Sequence, residues 1–571
     1  MKKSIIIALV TILAGFTACN KDYAPPTLTT PATQDVEAGT SVDLSFTFNA
    51  EAGFGTASVL ATNGTAVITN NGTKNETSGS ILVTYTSGTS AGAGSVTLTV
   101  YDADDQSVSS TAVLNVFEEG APEINAPATS AVEVLDLVDI TFTFTSEGGY
   151  ASSALTAVKG SAVVKTDASV GASSGSVVVT FTAGRSTGAG SVEITMTDAN
   201  GKSGVATAVV DVQGVPTISV SENISADATW SADNIYILEG RITVLDGVTL
   251  TIEPGTLIKG NQGSGPNATA LLIARGAKLN ANGTANAPII FTSVADDILP
   301  GEIYGTTMDP TQNGLWGGLL ILGKAPISAD AEAVQIEGIP PSDLNGLYGG
   351  TDPLDNSGTI TYISIRHGGA NIGEGNEING LTLGGVGSGT TINNIEIIAN
   401  QDDGIEWFGG TVNVNNVVVW NTGDDAIDTD QSWAGTLNNA IIINPGDECF
   451  ELDGPEGSMV AKHTIMNASA YAGDAEGLVD LDANSNIDMS NVYFFGLKAG
   501  QDFDELPTVY TCTFLDFQAT LPTGSALTDF FKDGSDAFTS AVLAGQNTVG
   551  ANATAFSGWT WTAESGALND F

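Results

Sequence analysis

Hydrophobic and polar residues alternate along short segments in the first part of the chain, which is the pattern of half-buried β-strands. The pattern occurs twice, because DLSFTF begins at Asp43 and DITFTF begins at Asp139, 96 residues later. Turns rich in Gly, Ser and Asn separate the strands in both copies. Two antiparallel sandwiches of immunoglobulin-like size are therefore predicted, over residues 27–118 and 119–213.

From residue 214 onwards the apolar runs are shorter and recur at a different period. Similar blocks begin at Thr390, Thr411 and Thr436, which are 21 and 25 residues apart. A repeat of this length is typical of a solenoid. The apolar strand of each coil is followed by an Asn, and these are expected to stack in one column: Asn400, Asn421, Asn444 and Asn467. Because Asn tolerates a left-handed bend and its amide can bond to the next Asn, the pattern predicts a parallel β-helix over residues 214–571 in an all-β chain.

Two further segments carry a family resemblance. Residues 248–260 read VTLTIEPGTLIKG, and residues 556–568 read FSGWTWTAESGAL. Together with the Asn column, they resemble Bacteroidota surface lipoproteins that combine immunoglobulin-like modules with a C-terminal right-handed parallel β-helix of pectin-lyase-like fold. The resemblance implies a fold and a location, and it implies no activity.

The N-terminus has the pattern of a signal peptide, with two lysines followed by an apolar run that is too short to span a bilayer. The FTAC segment that ends at Cys19 resembles a bacterial lipobox. The resemblance implies removal of residues 1–18, lipidation of Cys19 and a linker over residues 19–26. The NKD that follows resembles an export tag of surface lipoproteins, so that we expect a lipid-anchored protein of the outer membrane that faces the cell surface. The alternative is ordinary secretion with a free Cys19.

Charge and composition narrow the possible partners. The chain has 17 Lys and Arg against 65 Asp and Glu, for a formal net charge of −48. Such a surface repels nucleic acid and attracts divalent cations. With only two histidines in the chain, a His-rich zinc or copper site is not expected.

Within the predicted coils, a second short strand alternates hydrophobic and acidic residues, and alternation sends the acids outward. Stacking predicts a first acidic column of Glu406, Asp428, Glu451, Asp480 and Asp504, and a second acidic column of Asp430, Asp453 and Asp482. Neighbours about 4.8 Å apart repel by about 0.9 kcal/mol in water and about 3.5 kcal/mol at an effective dielectric constant of 20. Bound Ca²⁺ would reverse this repulsion. Two interpretations remain, a Ca²⁺ site and a solvated acidic face without a specific ion.

An acidic pair precedes each of three such strands: Asp402 and Asp403, Asp424 and Asp425, and Asp447 and Glu448. The GDDAI segment at residues 423–427 resembles the GDDCI motif of polygalacturonases. That resemblance implies acid and base roles for Asp424 and Asp425, with Asp428 beside them. The family's Gly-His-Gly and Arg-Ile-Lys partners are missing, and the acidic pair recurs in neighbouring coils. A lyase would need Ca²⁺ and a base, for which Arg366 and His367 are the nearest candidates.

Binding without catalysis is the interpretation favoured by the repeating acids. Trp407 and Trp420 are expected in the core, whereas Trp433, in the loop DQSWAG, is expected to be exposed and to stack on a sugar ring beside the acidic pairs. We therefore expect a non-enzymatic lipoprotein that binds a glycan or a partner protein, with Ca²⁺ assisting. The alternatives are a polysaccharide-degrading hydrolase or lyase, and an accessory lipoprotein of an outer-membrane nutrient importer.

Overall fold

The computed structural model describes residues 23–118, 120–263, 265, 268–371, 378–503 and 505–571. The chain divides into two compact units, of which the first ends at Gly214 and the second spans Val215–Phe571. Among the described residues the only α-helix is the single turn α1, Trp561–Glu564, so the prediction of an all-β chain is confirmed. No described helix has the length and apolar character needed to cross a membrane.

The first unit contains two copies of one eight-stranded arrangement. The strands of the first copy are β1 Thr27–Thr29, β2 Gln34–Glu37, β3 Ser41–Asn49, β4 Phe54–Thr62, β5 Gly64–Asn70, β6 Ser78–Ser87, β7 Gly92–Asp102 and β8 Ser107–Phe117. The strands of the second copy are β9 Glu123–Asn125, β10 Ser130–Glu133, β11 Leu137–Thr145, β12 Tyr150–Val158, β13 Gly160–Thr166, β14 Ser174–Ala183, β15 Gly188–Asp198 and β16 Ser203–Gln213.

Each copy forms two four-stranded sheets. The first copy has the orders β1-β3-β6-β5 and β2-β8-β7-β4, and the second copy repeats both orders. Burial alternates along the strands, as in β3, where Leu44, Phe46 and Phe48 are buried and the residues between them are exposed. The predicted pair of sandwiches is therefore confirmed, since period-2 alternation gives each sheet one apolar face to pack.

The second unit is built from short strands joined into coils. Its strands up to the first long connection are β17 Thr217–Val220, β18 Ala228–Trp230, β19 Ile235–Leu238, β20 Arg241–Val244, β21 Thr249–Ile252, β22 Leu257–Gly260, β23 Ala270–Ile273, β24 Lys278–Asn282, β25 Ile289–Ser293 and β26 Leu319–Leu322. The strands that follow are β27 Val334–Gln335, β28 Leu347–Tyr348, β29 Gly358–Arg366, β30 Leu381–Gly384, β31 Thr391–Ile398, β32 Ile405–Phe408, β33 Val414–Trp420, β34 Ile427–Asp430, β35 Thr436–Ile443, β36 Glu451–Leu452, β37 His463–Tyr471, β38 Asp480–Leu481, β39 Ile487–Phe495, β40 Thr513–Ala519 and β41 Thr539–Ala541.

Two long parallel sheets run through this unit and confirm the predicted β-helix. The larger contains β29-β31-β33-β35-β37-β39-β40, and the smaller has the order β20-β23-β26-β30-β32-β34-β36-β38. Ile392 pairs with Val414, and Val414 pairs with Leu437, so that successive coils are 22 and 23 residues long here rather than the predicted 21 and 25. Apolar side chains of both sheets fill the interior as one continuous core.

An asparagine column bends the long strands, but its members differ from those predicted. In the middle of β31, β33, β35, β37 and β39 an asparagine has a positive φ of 57° to 67°: Asn394, Asn416, Asn439, Asn467 and Asn491. Tyr362 in β29 and Asp516 in β40 take the same position, with φ of 51° and 58°. The side-chain Nδ2 of Asn416 donates to Oδ1 of Asn394 over 2.9 Å, and Asn439 donates to Asn416 over 2.7 Å. The ladder therefore combines a left-handed bend with an amide hydrogen bond between coils.

Two of the four asparagines in the predicted column stack as expected, and two do not. Asn421 and Asn444 do stack at the next bend, where Nδ2 of Asn444 donates to Oδ1 of Asn421 over 3.1 Å. Asn467 instead lies inside β37, because that strand continues as far as Tyr471. Asn400 follows Ala399, which takes the bend position with a φ of 54°.

Two additional segments cover parts of the coil surface. The cover loop, residues 323–357 between β26 and β29, contains the short hairpin β27–β28. Its apolar residues pack on the outer face of the smaller sheet in one cluster that includes Ile327, Ile336, Ile339, Tyr348, Leu320, Leu322 and Phe408. The C-terminal strap, residues 548–562, runs along the larger sheet and packs Phe556 and Trp559 on Val418 and Ile441.

Candidate functional site

The strands of the smaller sheet place the predicted acids in register. Glu406 pairs with Asp428, Asp428 pairs with Glu451, and Glu451 pairs with Asp480. The first acidic column is therefore continuous over four coils. Its predicted fifth member, Asp504, lies outside the described residues.

The N-terminal end of this column, Glu406 and Asp428, is buried, contrary to the prediction that all acids of the column face solvent. Glu406 is 5% exposed and Asp428 is 8% exposed, whereas Glu451 and Asp480 are half-buried. The cover loop packs on neighbouring Phe408, and Asn379 donates a hydrogen bond from Nδ2 to Glu406. The alternation was predicted correctly, but the insertion that covers the outer face was not.

Burial and like charge act together on the carboxyl groups at this end. Burial, followed by the negative charge of Asp403, raises the pKa of Glu406 well above its usual range. Burial, followed by the charge of Glu406, raises the pKa of Asp428 in the same way. The two carboxyl groups also share a hydrogen bond, which requires one of them to be protonated. The pair can be neutralised by a proton or by a cation.

The second acidic column lies nearer to solvent. Asp430 and Asp453 are half-buried, and Asp482 is exposed. Burial, with the charges of neighbouring acids, raises the pKa of Asp430 to about 8 and the pKa of Asp453 to about 7. Asp430 and Asp453 therefore titrate near neutral pH and can exchange protons for cations there.

The acidic pairs before the strands contain two kinds of residue. In two pairs the second member, Asp403 or Asp425, is buried and accepts a backbone hydrogen bond from the next coil. Oδ1 of Asp403 accepts the N–H of Asp425 over 3.0 Å, and Oδ1 of Asp425 accepts the N–H of Glu448 over 2.6 Å. Burial raises the pKa of Asp425 to about 12. Burial and the adjacent Asp447 raise the pKa of Glu448 to about 8.

The first members of the pairs, Asp402, Asp424 and Asp447, are half-buried and remain within reach of a ligand. One carboxylate oxygen from each of Asp402, Asp403 and Asp424 lies within 4.8 Å of the other two. Asp403, Glu406 and Asp428 form a second group with the same spacing. Both groups consist of oxygen donors, which suits a hard cation such as Ca²⁺.

The prediction that Trp433 is an exposed sugar-stacking residue is wrong. Trp433 is fully buried, stacks on Trp407 with ring centroids 4.6 Å apart, and donates its indole N–H to the carbonyl of Val412 over 3.0 Å. Gln431 and Ser432 have φ of 51° and 57°, and these two left-handed residues turn the chain back into the interior. Trp407 is in the core, as predicted, whereas Trp420 lies on the outside, half-buried against Trp561.

Arg366, the last residue of β29, and His367, which follows it, are the candidate bases for a lyase and lie beneath the C-terminal strap. Both are fully buried. An Nη2 atom of Arg366 lies 3.3 Å from Glu396, and its guanidinium lies 5.4 Å from the centre of the Trp561 ring. A base in this position is not accessible to a polymer, and the acidic columns lie on the other sheet.

Cys19 and the segment that contains it lie outside the described residues. Cys449 and Cys512 are free thiols, of which Cys449 is buried. Burial lowers the pKa of His463 to about 3, so this histidine is a neutral core residue, and its Nε2 lies 3.2 Å from Oγ1 of Thr429.

Comparison with protein families matches residues 222–563 to the pectate-lyase-like β-helix domain. The chain belongs to the pectate-lyase-like β-helix family. The family match spans the coils that carry both acidic columns and the C-terminal strap. No curated protein matches the chain in sequence.

The chain is also similar to solved structures of two adhesins and of titin. The sialic-acid-binding region of a Streptococcus sanguinis adhesin is 9% identical, with 34% of this chain and 79% of that chain covered and a TM-score of 0.15. The titin domains Z1Z2, solved in complex with telethonin, are 16% identical over 34% of this chain and 99% of theirs, with a TM-score of 0.15. The Yersinia pseudotuberculosis adhesin InvE is 17% identical over 33% of this chain and 59% of its own, with a TM-score of 0.14.

Proposed function

We propose that this protein is a lipid-anchored protein of the outer-membrane surface whose β-helix binds a glycan or a partner protein through its acidic face, with Ca²⁺ assisting. The acidic face is defined here as the accessible acids of the two columns together with Asp402, Asp424 and Asp447. The observation that carries the proposal is the repetition of acids along the smaller sheet: the first acidic column is in register over four coils, and its members Glu451 and Asp480 are accessible. A binding surface for an extended ligand uses such repetition, whereas a catalytic centre needs one coil that differs from the rest.

The position of the individual acids supports binding over hydrolysis. Asp425 and Asp428, two of the three candidates for acid and base roles, are 3% and 8% exposed. Asp425 accepts a backbone N–H from the next coil, in the same way that Asp403 does one coil earlier. Asp425 and Asp403 therefore stabilise the coils through these hydrogen bonds. Asp424 remains the accessible acid of the GDDAI motif.

Calcium would act on this face by bridging the carboxylates of the protein and the carboxylates of an acidic glycan. The formal net charge of −48 repels an acidic glycan, and a Ca²⁺ ion shared between carboxylates and the glycan reverses that repulsion. A neutral glycan or a protein would instead donate hydrogen bonds from its hydroxyl or N–H groups directly to the carboxylates. Binding of an acidic glycan is therefore expected to require calcium.

A binding panel tests this proposal. The mature protein is equilibrated with polyuronides and neutral glycans in calcium and in chelator, and the same samples are assayed for new reducing ends and unsaturated uronate. We expect calcium-dependent retention of at least one glycan, loss of retention in the Asp453→Asn, Asp482→Asn double variant, and no shortening of the polymer. Turnover that disappears in Asp424→Asn would instead establish the hydrolase or lyase alternative.

The anchor and the partner require separate measurements. Cys19→Ala is expected to move the protein from the membrane fraction to the soluble fraction, because several acyl chains on one cysteine give a stable anchor. A pull-down from solubilised outer membrane tests the importer alternative. Recovery of a transporter in stoichiometric amounts would favour an accessory role over independent glycan binding.

A further inference from the structure

One of the two histidines of the chain lies buried beneath the C-terminal strap. His367 directly follows β29 and has a φ of 60°. Its Nδ1 lies 2.5 Å from the carbonyl oxygen of Gln312, and because a carbonyl only accepts, the proton of the neutral ring is on Nδ1. The other ring nitrogen, Nε2, is buried and has no hydrogen-bond partner among the described residues. A second proton on this ring would create a buried charge and an unpaired N–H donor together.

The strap covers this histidine with the ring of Trp561. The centroids of the two rings are 5.8 Å apart, and Trp561 is 5% exposed. Trp561 also stacks on Tyr304, with ring centroids 5.5 Å apart. Beside it, the N–H and the hydroxyl of Thr562 donate to Glu396. The end of the strap is therefore held over His367 by aromatic contacts and by one carboxylate, and opening of the strap would bring water to the imidazole ring.

The charged groups around His367 come from several elements. Arg366, next to it in the chain, is paired with Glu396 on β31. Asp296, which follows β25, is buried and its carboxylate already accepts two hydrogen bonds. Asp309 lies in an exposed position on the segment that precedes Gln312. Burial, to which the charge of Arg366 adds, lowers the pKa of His367 below its usual range, against the opposing effect of the two aspartates.

We propose that His367 is a pH-sensitive switch whose protonation releases the end of the C-terminal strap from the larger sheet in mildly acidic solution. While the strap is closed, the ring stays neutral, because no described group accepts a hydrogen bond from Nε2. When the strap opens, the hydrated ring takes up a proton with its usual pKa of about 6.5. A proton that binds only the open state favours that state. The strap is therefore docked most firmly above about pH 6.5 and loses this part of its stability as pH falls.

The size of the effect follows from the same linkage. With a ring that stays neutral in the closed state, the equilibrium constant for opening rises about 25-fold between pH 7 and pH 5. The acids of the smaller sheet have the opposite effect on global unfolding, because the pKa values of Asp430 and Asp453 are raised. The switch is therefore measured as local opening of the strap. It depends on neither calcium nor a glycan, so that its failure would leave the proposed function untouched.

Native-state hydrogen exchange of the full mature chain at pH 7, 6 and 5 tests the switch. Protection factors, which remove the intrinsic pH dependence of exchange, are compared for the amides of Thr562, Glu564 and Ser565. Amides of β33 are the internal reference. In the wild type, strap protection is expected to fall about 25-fold from pH 7 to pH 5, whereas β33 keeps its protection. Unchanged strap protection, or an equal loss in β33, would overturn the proposal.

Variants of the two histidines assign the effect. His367→Asn is expected to abolish the pH dependence, because asparagine tolerates the left-handed backbone and can donate to Gln312 but does not titrate. His367→Gln is a second variant without a titrating ring. The matched control is His463→Gln, since His463 is the other histidine of the chain and lies in the core, and this variant is expected to keep the pH-dependent loss. A loss of equal size in the His367 variants would overturn the proposal.

Histidine ring signals in nuclear magnetic resonance spectra of the wild type give a measurement that needs no variant. The ring of His367 is expected to be neutral at pH 7 and to become protonated only together with the loss of strap protection. A protonated ring of His367 under a strap that keeps its full protection would overturn the proposal.

Discussion

At the scale of single residues, one motif of the sequence divides into two roles. The pair Asp424 and Asp425 resembles a catalytic motif, but Oδ1 of Asp425 accepts the N–H of Glu448 over 2.6 Å inside the coil wall. Asp424 lies half-buried at the turn. The chemistry of the pair therefore depends on which of the two side chains faces solvent, and adjacent positions in a turn do not reveal that from sequence.

Asp425 provides a residue-scale test of the scaffold role. Asp425→Ala is expected to lower the free energy of unfolding by about 1–3 kcal/mol, because it leaves a buried N–H without an acceptor. Asp425→Asn keeps an oxygen acceptor and is expected to lose less. Urea unfolding at fixed calcium measures both, and equal losses in the two variants would show that the hydrogen bond is not what Asp425 contributes.

Trp433 shows where residue-level prediction failed. Its neighbours in the loop are polar, and a polar loop suggests an exposed aromatic ring. The two left-handed residues Gln431 and Ser432 reverse the chain and place the indole against Trp407. Neither residue is a glycine, so that the sequence gives no signal of this backbone conformation.

At the scale of elements, the strands and their alternation of hydrophobic and polar residues could be predicted from the sequence. The acidic and asparagine columns could be predicted only in part. Inward hydrophobes and outward acids follow from the period of a strand, and the register of Glu406, Asp428, Glu451 and Asp480 agrees with the predicted order. The asparagine ladder was misassigned because the coils of β33 and β35 use Asn at two successive bends, Asn416 and Asn421 in one and Asn439 and Asn444 in the other. The cover loop has no periodic pattern of its own, and for that reason the burial of Glu406 could not be predicted.

Asn416 tests the ladder at its centre. Asn416 donates to Asn394 and accepts from Asn439, and its φ is 57°. Asn416→Ala is expected to cost about 2–4 kcal/mol through the lost amide bonds and the left-handed backbone of a residue with a Cβ. Asn416→Gly is expected to cost less, since glycine adopts this φ freely. Chemical denaturation compares them, and a less stable glycine variant would contradict the account of the bend.

The C-terminal strap depends on one buried carboxylate. Both the backbone N–H and the hydroxyl of Thr562 donate to Oε1 of Glu396, over 2.9 Å and 2.7 Å, and Glu396 also faces Arg366. Thr562→Val is expected to lower the free energy of unfolding by about 1.5–3 kcal/mol, as for a hydrogen bond to a charged group. Hydrogen exchange would show faster exchange in the strap. Unchanged protection there would mean that apolar packing alone holds the strap.

At the scale of the whole molecule, the stacked acids make stability depend on pH. The pKa values of Asp430, Glu448 and Asp453 in the folded protein are about 8, 8 and 7, above the value of about 4 expected in the unfolded chain. Between these values the folded state binds more protons, so that its stability falls as pH rises. In chelator, the free energy of unfolding is expected to decrease steadily from about pH 5 to about pH 9. Stability that rises over this range would contradict the burial of these acids.

The central claim is that carboxyl groups of the acidic face bind Ca²⁺. Burial and neighbouring acids raise the pKa of Asp430 to about 8 and the pKa of Asp453 to about 7, so that these two groups hold protons in part at neutral pH, and calcium that binds them displaces those protons. Calorimetric titration of the mature protein with calcium, in buffers of different ionisation enthalpy, counts the protons released. We predict saturable binding with net proton release at pH 7. Absence of binding heat, or binding without proton release, would contradict the account.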